Sequence, residues 1–169
     1  MKIKIMKNFI QEKNIFKGIK DLLMSPDFPY YYNDHVSSKK DKSDYFFSHT
    51  LCDSTQPTSD FFNEIIPPIL KRLDFKKLYR AKVNCYTQKH KLIPTRMHTD
   101  TPIKHMVALL SINNNNGYTL FEDGHRVLSR ENQLILFKGD VKHCSVAQTD
   151  KNIRAVSYTH LRAHETGRN

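Results

Sequence analysis

The feature that most constrains the fold is a series of short, β-prone segments that begins at residue 78 and is interrupted by tight turns. Residues 78–86 alternate between apolar and polar side chains, as expected of a strand with one buried face. The segments 113–117 and 123–124 are predicted turns, because Asn, Asp and Gly tolerate positive φ angles. The remaining predicted strands are 104–112, 118–121, 126–128, 133–137 and 153–156. Strands this short and this frequent predict an antiparallel sandwich or barrel.

The first half of the chain has a different pattern, in which two amphipathic helices flank a loop-rich stretch. Apolar residues at helical spacing predict helices over 8–24 and 61–73. Residues 25–60, rich in Ser, Asp, Lys and Tyr, are interpreted as loops with short strands. At 169 residues the chain is expected to form one domain. We therefore expect a mainly β fold with N-terminal helices, with a helical and loop part at 1–77 and the β core at 78–156.

Two histidines and one aspartate occupy positions from which they can bind one metal ion. His98 and Asp100 precede the apolar segment 104–112, and residues two apart on extended backbone point to the same face. His143 follows the apolar strand 133–137. Two imidazoles and one carboxylate on one face of an octahedral ion leave the opposite face open, as in the facial triad of non-haem Fe(II) oxygenases. His98, Asp100 and His143 are the predicted metal ligands and catalytic centre, and a merely polar loop is the alternative for the first two.

Arg154, in the predicted strand 153–156, is the predicted anion-binding residue. An arginine that points into a barrel is unfavourable unless it pairs with an anion. A guanidinium can hold a carboxylate through two parallel hydrogen bonds. Tyr86 and Asn84 lie two residues apart on one strand face, from which Tyr86 can bond the same carboxylate and Asn84 can orient the ligand. The alternative for Arg154 is a salt bridge on an exposed strand face.

These residues together resemble the Fe(II)- and 2-oxoglutarate-dependent dioxygenase superfamily, and most of all its prolyl 4-hydroxylase-like branch in small phage and marine microbial forms. The resemblance covers roughly residues 78–156. It rests on Asn84-Cys85-Tyr86, His98-Thr99-Asp100, Asn115-Asn116-Gly117-Tyr118-Thr119, Glu122-Asp123-Gly124, His143 and Arg154.

The resemblance implies a double-stranded β-helix, or jelly roll, with iron bound by His98, Asp100 and His143 and with 2-oxoglutarate held by Arg154. Tyr86 is implied as a further contact to 2-oxoglutarate. The implied activity is hydroxylation coupled to decarboxylation of 2-oxoglutarate to succinate, with O₂ as co-substrate and ascorbate as a candidate further cofactor. The implied substrate is a peptidyl residue, prolyl or other, or a small molecule. A nucleic-acid-directed oxygenase and a catalytically inactive jelly-roll or cupin-like metal-binding module are the alternatives.

The last residues, 156–169, interrupt the pattern before them and resemble the translation of a sequencing adaptor. The family's chain normally continues past the arginine in a hydrophobic stretch that completes the last core strand. We therefore expect 157–169 to be a tail outside the domain, and we do not interpret His160 and His164 as a metal pair.

Composition and charge limit which partners, which cellular location and which kinds of cross-link or metal site the chain is expected to have. The formal net charge of +10 is compatible with a nucleic-acid partner, but also with an ordinary solvated surface. No apolar run has the roughly 18 residues that a membrane span needs, and no signal peptide is evident. Three scattered cysteines argue against a disulfide framework and a structural zinc site, which fits the cytoplasm.

Overall fold

A computed structural model describes residues 3–34, 45–100 and 103–162. Within these ranges the chain forms two helices, α1 (Lys13–Leu23) and α2 (Phe62–Leu70). Neither helix is long and apolar enough to cross a bilayer. The strands are β1 (Lys4–Met6), β2 (Tyr31–Asn33), β3 (Phe46–Asp53), β4 (Gln56–Pro57), β5 (Lys77–Thr87), β6 (Met106–Ser111), β7 (Tyr118–Phe121), β8 (Arg126–Leu128), β9 (Gln133–Lys138), β10 (His143–Val146) and β11 (Ile153–Arg162).

The strands of the described residues form two antiparallel sheets. The larger sheet has the order β1-β9-β6-β11-β5-β3-β2, with β4 paired to β3, and the smaller has the order β10-β7-β8. One face of the larger sheet packs against the two helices, and its other face packs against the smaller sheet. This mainly β, jelly-roll-like architecture confirms the fold class expected from the sequence.

Side chains along the central strands alternate between the two faces of the larger sheet. Each face has its own hydrophobic core, one against the helices and one against the smaller sheet. On β5, Ala81 and Val83 contact the helical layer, whereas Asn84 and Tyr86 face the smaller sheet. On β11, Ala155 faces the helices and Arg154 faces the smaller sheet. Pairing in register then sets Arg154 opposite Tyr86, and Val156 opposite Asn84. The central strands thereby bring polar side chains to the space between the sheets.

The end of the chain differs from the boundary expected at residue 156. Strand β11 continues to Arg162 and pairs with β5 on one side and β6 on the other. Residues 157–161 are buried, which is the physical reason that they belong to the folded domain. The rest of the expected tail, 163–169, lies outside the described residues, and so do 35–44 of the expected loop region.

Candidate functional site

A cavity of about 190 Å³ opens between the two sheets. Its walls come mainly from β5, β10 and β11, and the segment 98–100 contributes at one side. All six residues predicted to form the site line this cavity: Asn84, Tyr86, His98, Asp100, His143 and Arg154. The fold therefore gathers residues that are distant in sequence around one space.

The three predicted metal ligands converge. His98 Nε2 lies 3.7 Å from Asp100 Oδ1, and His143 Nε2 lies 3.7 Å from Asp100 Oδ2. The backbones of His98 and His143 exchange two hydrogen bonds of 3.0 Å, which fix the loop to β10. Ligand atoms bonded at about 2.1 Å and at right angles lie about 3 Å apart, so a small contraction would suit one ion. The donor set fits a divalent first-row transition metal.

Backbone carbonyl groups fix which ring nitrogen of His98 and His143 carries the proton. Nδ1 of His143 lies 3.0 Å from the Val141 carbonyl oxygen, and Nδ1 of His98 lies 3.1 Å from the Arg96 carbonyl oxygen. A carbonyl can only accept, so each Nδ1 carries the proton and donates it. Each Nε2 therefore presents a lone pair, which is the form that binds a metal.

The ionisation states also suit a metal. Burial lowers the pKa of His143 despite the nearby Asp100 carboxylate, which favours the neutral, ligating imidazole. Burial alone would raise the pKa of Asp100, but the imidazoles of His160, His143 and His98 outweigh it and hold the value at about 2. The site thus combines neutral imidazole with an ionised carboxylate near neutral pH.

Tyr158 is a residue that the sequence analysis did not identify as part of the site. Its hydroxyl hydrogen-bonds Nε2 of His143, the atom that would bind the metal. Burial raises the pKa of Tyr158 well above its usual value, so the hydroxyl stays protonated and donates. A metal ion at His143 must displace this hydrogen bond.

We expect Tyr158→Phe to raise the affinity of the His98/Asp100/His143 site for Mn²⁺ about two- to tenfold, because a typical hydrogen bond contributes about 1 kcal/mol net. Loss of the free Mn²⁺ electron paramagnetic resonance signal during titration measures the affinity. Tyr79→Phe, outside the cavity lining, is the matched control. A weaker affinity in Tyr158→Phe would show that the hydroxyl supports the metal-binding ring instead of competing for it.

Arg154 is 1% exposed and lies deep in the same cavity. It donates from Nε to Ser129 Oγ and from Nη1 to Ser145 Oγ, each at 2.6 Å. Its guanidinium carbon lies 5.3 Å from the centre of the Tyr86 ring. Among the residues that the structure describes, no carboxylate forms an ion pair with it. Burial lowers the pKa of Arg154 from its usual value, so an anionic ligand in the cavity would relieve an unfavourable buried charge.

Asn84 and Tyr86 form a polar pair beside Arg154. The Asn84 side-chain amide donates to the Tyr86 hydroxyl at 3.2 Å. The side-chain oxygen Oδ1 of Asn84 is buried and has no hydrogen-bond partner among the described residues. The Tyr86 hydroxyl keeps its own proton to donate, and it lines the cavity that Arg154 faces.

Lys82 is a second residue that the sequence analysis missed, although it continues the alternation of Asn84 and Tyr86 on β5. Its ammonium lies 5.6 Å from the Phe46 ring centre and 5.9 Å from the Tyr158 ring centre. Burial, with a smaller effect of Arg80, lowers the pKa of Lys82 to about 8 against the opposing effect of Asp100. The cavity therefore has a titratable cation on the Asp100 side.

We expect Lys82→Met to stabilise the chain at pH 7 by up to about 3 kcal/mol, the free energy that corresponds to the lowered pKa. The folded state holds the Lys82 proton more weakly than the unfolded state, so the parent gains stability as pH rises from about 8 towards 10.5. The advantage of the variant should be full below pH 8 and should disappear above about pH 10.5. Urea unfolding at several pH values measures it, with the exposed Lys151→Met as control. An advantage that stays constant across this range would contradict the assignment.

Comparison with known proteins concerns the fold. No family model matches the sequence, and no curated protein matches it. An oxidoreductase of the 2OG-Fe(II) oxygenase family from Burkholderia pseudomallei has a similar structure, with 11% identity, a TM-score of 0.67, and coverage of 95% of this chain and 85% of that one.

Two prolyl hydroxylases are also similar. A prolyl-4-hydroxylase from Pseudomonas putida has 12% identity and a TM-score of 0.61, with 95% of this chain and 92% of that chain covered. A prolyl hydroxylase from Trichoplax adhaerens, solved with a hypoxia inducible factor oxygen degradation domain peptide, has 12% identity and a TM-score of 0.58, with 94% and 83% covered. At these identities the likeness concerns the fold, and that fold is the one found in 2OG-Fe(II) oxygenases.

Proposed function

We propose that this protein is an oxygenase that uses Fe(II) and 2-oxoglutarate to hydroxylate a peptidyl residue, prolyl or other, or a small molecule. The observation that carries the proposal is that one cavity contains both a set of metal-binding side chains and a buried cation. One is the set of donor atoms of His98, Asp100 and His143, and the other is the buried guanidinium of Arg154, which has no carboxylate partner among the described residues. A metal-chelating ligand with a second carboxylate satisfies both features at once.

Each group has a defined part in this proposal. His98, Asp100 and His143 would hold the iron, and Arg154 would bind the distal carboxylate of 2-oxoglutarate with Tyr86 and Asn84 beside it. When bound, the iron would supply the O₂ chemistry that is coupled to oxidative decarboxylation of 2-oxoglutarate to succinate. Ser129 and Ser145 orient the guanidinium, because both hydroxyls accept from it. Phe46, Leu109 and Val156 give the cavity an apolar wall that limits access of water.

The substrate would contact the mouth of the cavity. We assign this contact to the segment 25–60, of which 35–44 lie outside the described residues, and to the loop 87–97. The parts of 25–60 that connect β2, β3 and β4, like the loop 87–97, are carried by a rigid sheet, and loops on a rigid scaffold commonly carry specificity. Similar folds include prolyl hydroxylases, one of them solved with a peptide, which supports a peptide as the first substrate class to test.

The test is iron- and 2-oxoglutarate-dependent succinate release with a library of proline-containing and other peptides, read together with mass spectrometry for the gain of one oxygen. We expect turnover in the parent, none in Asp100→Asn, and unchanged turnover in the exposed His125→Gln. If the parent binds iron but releases no succinate with any substrate or without one, the protein is an inactive metal-binding module instead.

A nucleic-acid substrate is the second candidate, and the net charge of +10 favours it. Binding to single-stranded DNA or RNA should then weaken steeply with salt, because each neutralised phosphate releases counterions. Absence of binding at low salt would remove this candidate and leave the peptide or small-molecule assignment.

A further inference from the structure

A second group of metal-binding side chains adjoins the first. The donor atoms of Asp100, His105 and His160 all lie within 4.8 Å of one another. His160 is on β11 and pairs with Val107 of β6, which places it next to the segment that carries His105. The two rings pack with their centres 4.9 Å apart. Strand β11 and the residue before β6 thus place two imidazoles against each other and beside Asp100.

These donor atoms are buried and form no hydrogen bond among the described residues, and Nε2 of His160 approaches Oδ2 of Asp100 to 3.5 Å. His105 is 5% exposed and His160 is 6% exposed. Nε2 of His105, Nε2 of His160 and Oδ2 of Asp100 have no hydrogen-bond partner among the described residues. Burying a polar atom without a hydrogen bond is unfavourable, and here three such atoms converge. A cation bound between them would satisfy all three.

The His105 ring is held in a ligating orientation. Its Nδ1 lies 2.6 Å from the Ile103 carbonyl oxygen and must donate to it, so Nε2 carries the lone pair. The ring also lies directly against Gly139, where a Cβ atom would come within 2.0 Å of His105 Cε1. Only glycine leaves room for the ring at this position, and the Gly139 amide donates to the His105 carbonyl at 2.8 Å.

Asp100 connects the two groups. Its Oδ1 lies 3.7 Å from His98 Nε2, whereas its Oδ2 lies 3.5 Å from His160 Nε2 and 3.7 Å from His143 Nε2. Carboxylates commonly bridge pairs of catalytic or structural ions. Two imidazoles with one carboxylate suit zinc, copper, nickel, cobalt or iron in their divalent state better than magnesium or calcium.

We propose that His105, His160 and Asp100 bind a second divalent first-row transition metal ion, and that Asp100 is shared between this ion and the one held by His98 and His143. The inference goes beyond the proposed function, because it holds whether or not 2-oxoglutarate is turned over. His160 belongs to the adaptor-like segment of the sequence, so the second site is a property of this chain and is not implied for the family that the chain resembles.

The experiment is Co²⁺ binding to the full chain by equilibrium dialysis, with bound metal measured by elemental analysis. We expect two Co²⁺ per chain in the parent and in the exposed His125→Gln control, and one in His105→Gln and in His160→Gln. His98→Gln should also bind one, through the second site, and Asp100→Asn should bind neither with comparable affinity. Far-UV circular dichroism checks that each variant is folded.

The outcomes separate this inference from the proposed function. One Co²⁺ in the parent overturns the second site, even if His105→Gln or His160→Gln fails to fold. Two Co²⁺ retained in folded His105→Gln and His160→Gln overturns it as well, and leaves the His98/Asp100/His143 site intact. Loss of one Co²⁺ in His105→Gln together with two retained in His98→Gln supports the second site and contradicts the proposed iron site.

Discussion

Arg154→Met is expected to raise the KM for 2-oxoglutarate about a hundredfold while the variant remains folded. The guanidinium is buried and bonded to Ser129 and Ser145, so its remaining donors face the cavity where a carboxylate would bind. A hundredfold change corresponds to about 2.7 kcal/mol, which lies within the about 1.5–3 kcal/mol that one charge-assisted hydrogen bond contributes. The fold should tolerate the change, because replacing a buried charge by an apolar side chain removes its desolvation cost.

Succinate formation at varied 2-oxoglutarate measures this effect. Arg154→Lys is the matched variant, since it keeps the charge but loses the planar fork, and its KM should lie between those of the parent and Arg154→Met. Thermal unfolding shows whether each variant is folded. If the folded Arg154→Met variant had an unchanged KM for 2-oxoglutarate, Arg154 would not be a binding residue for this co-substrate.

A chain that ends at Val156 is expected to lose its cooperative unfolding transition. The deletion removes the second half of β11, which pairs with β5 and β6 and lies in the middle of the larger sheet. It also removes the buried Tyr158 and Leu161, and each such side chain contributes about 1.5–3 kcal/mol through burial. Together with the lost strand pairing, this approaches the 5–15 kcal/mol that typically separates a folded domain from its unfolded state.

A chain that ends at Arg162 is the control and should keep the transition of the parent. Differential scanning calorimetry of the two shortened chains and the parent makes the comparison. If the chain ending at Val156 unfolded cooperatively near the temperature of the parent, the domain would end at 156, as the sequence pattern alone suggests.

The sheet region was largely predictable because its strands carry local signals. Alternation over 78–86 and turn residues such as Gly117 and Gly124 mark strands and hairpins without knowledge of their partners. The extent of β11 was not predictable in this way. Its second half carries Ser157 and Thr159 on the face towards the helices, and their burial depends on pairing with strands far away in sequence. The short β1 and β2 carry too few residues to show a period.

The part of the candidate site that could be predicted consists of residues whose type and spacing indicate a metal ligand or an anion-binding group. The side chains of His98, Asp100, His143 and Arg154 are predictable from what they can bind, and they line one cavity. His105 gave no such signal, since it is a single histidine before a strand, and its relation to Asp100 arises from the fold. Gly117 shows the same point: a Cβ atom there would lie 2.9 Å from the Val146 carbonyl oxygen, so glycine is required by close packing and not by the turn alone.

The orientation of the imidazoles affects how the candidate metal site tolerates substitutions at neighbouring positions. His98, His105 and His143 each direct Nδ1 at the carbonyl of the residue two positions earlier in the chain. That acceptor belongs to the main chain, so no substitution at 96, 103 or 141 can remove it. The side chains at 96, 103 and 141 therefore do not supply the group that sets the tautomer of each ring, and what must be preserved is the backbone conformation that places the carbonyl against Nδ1.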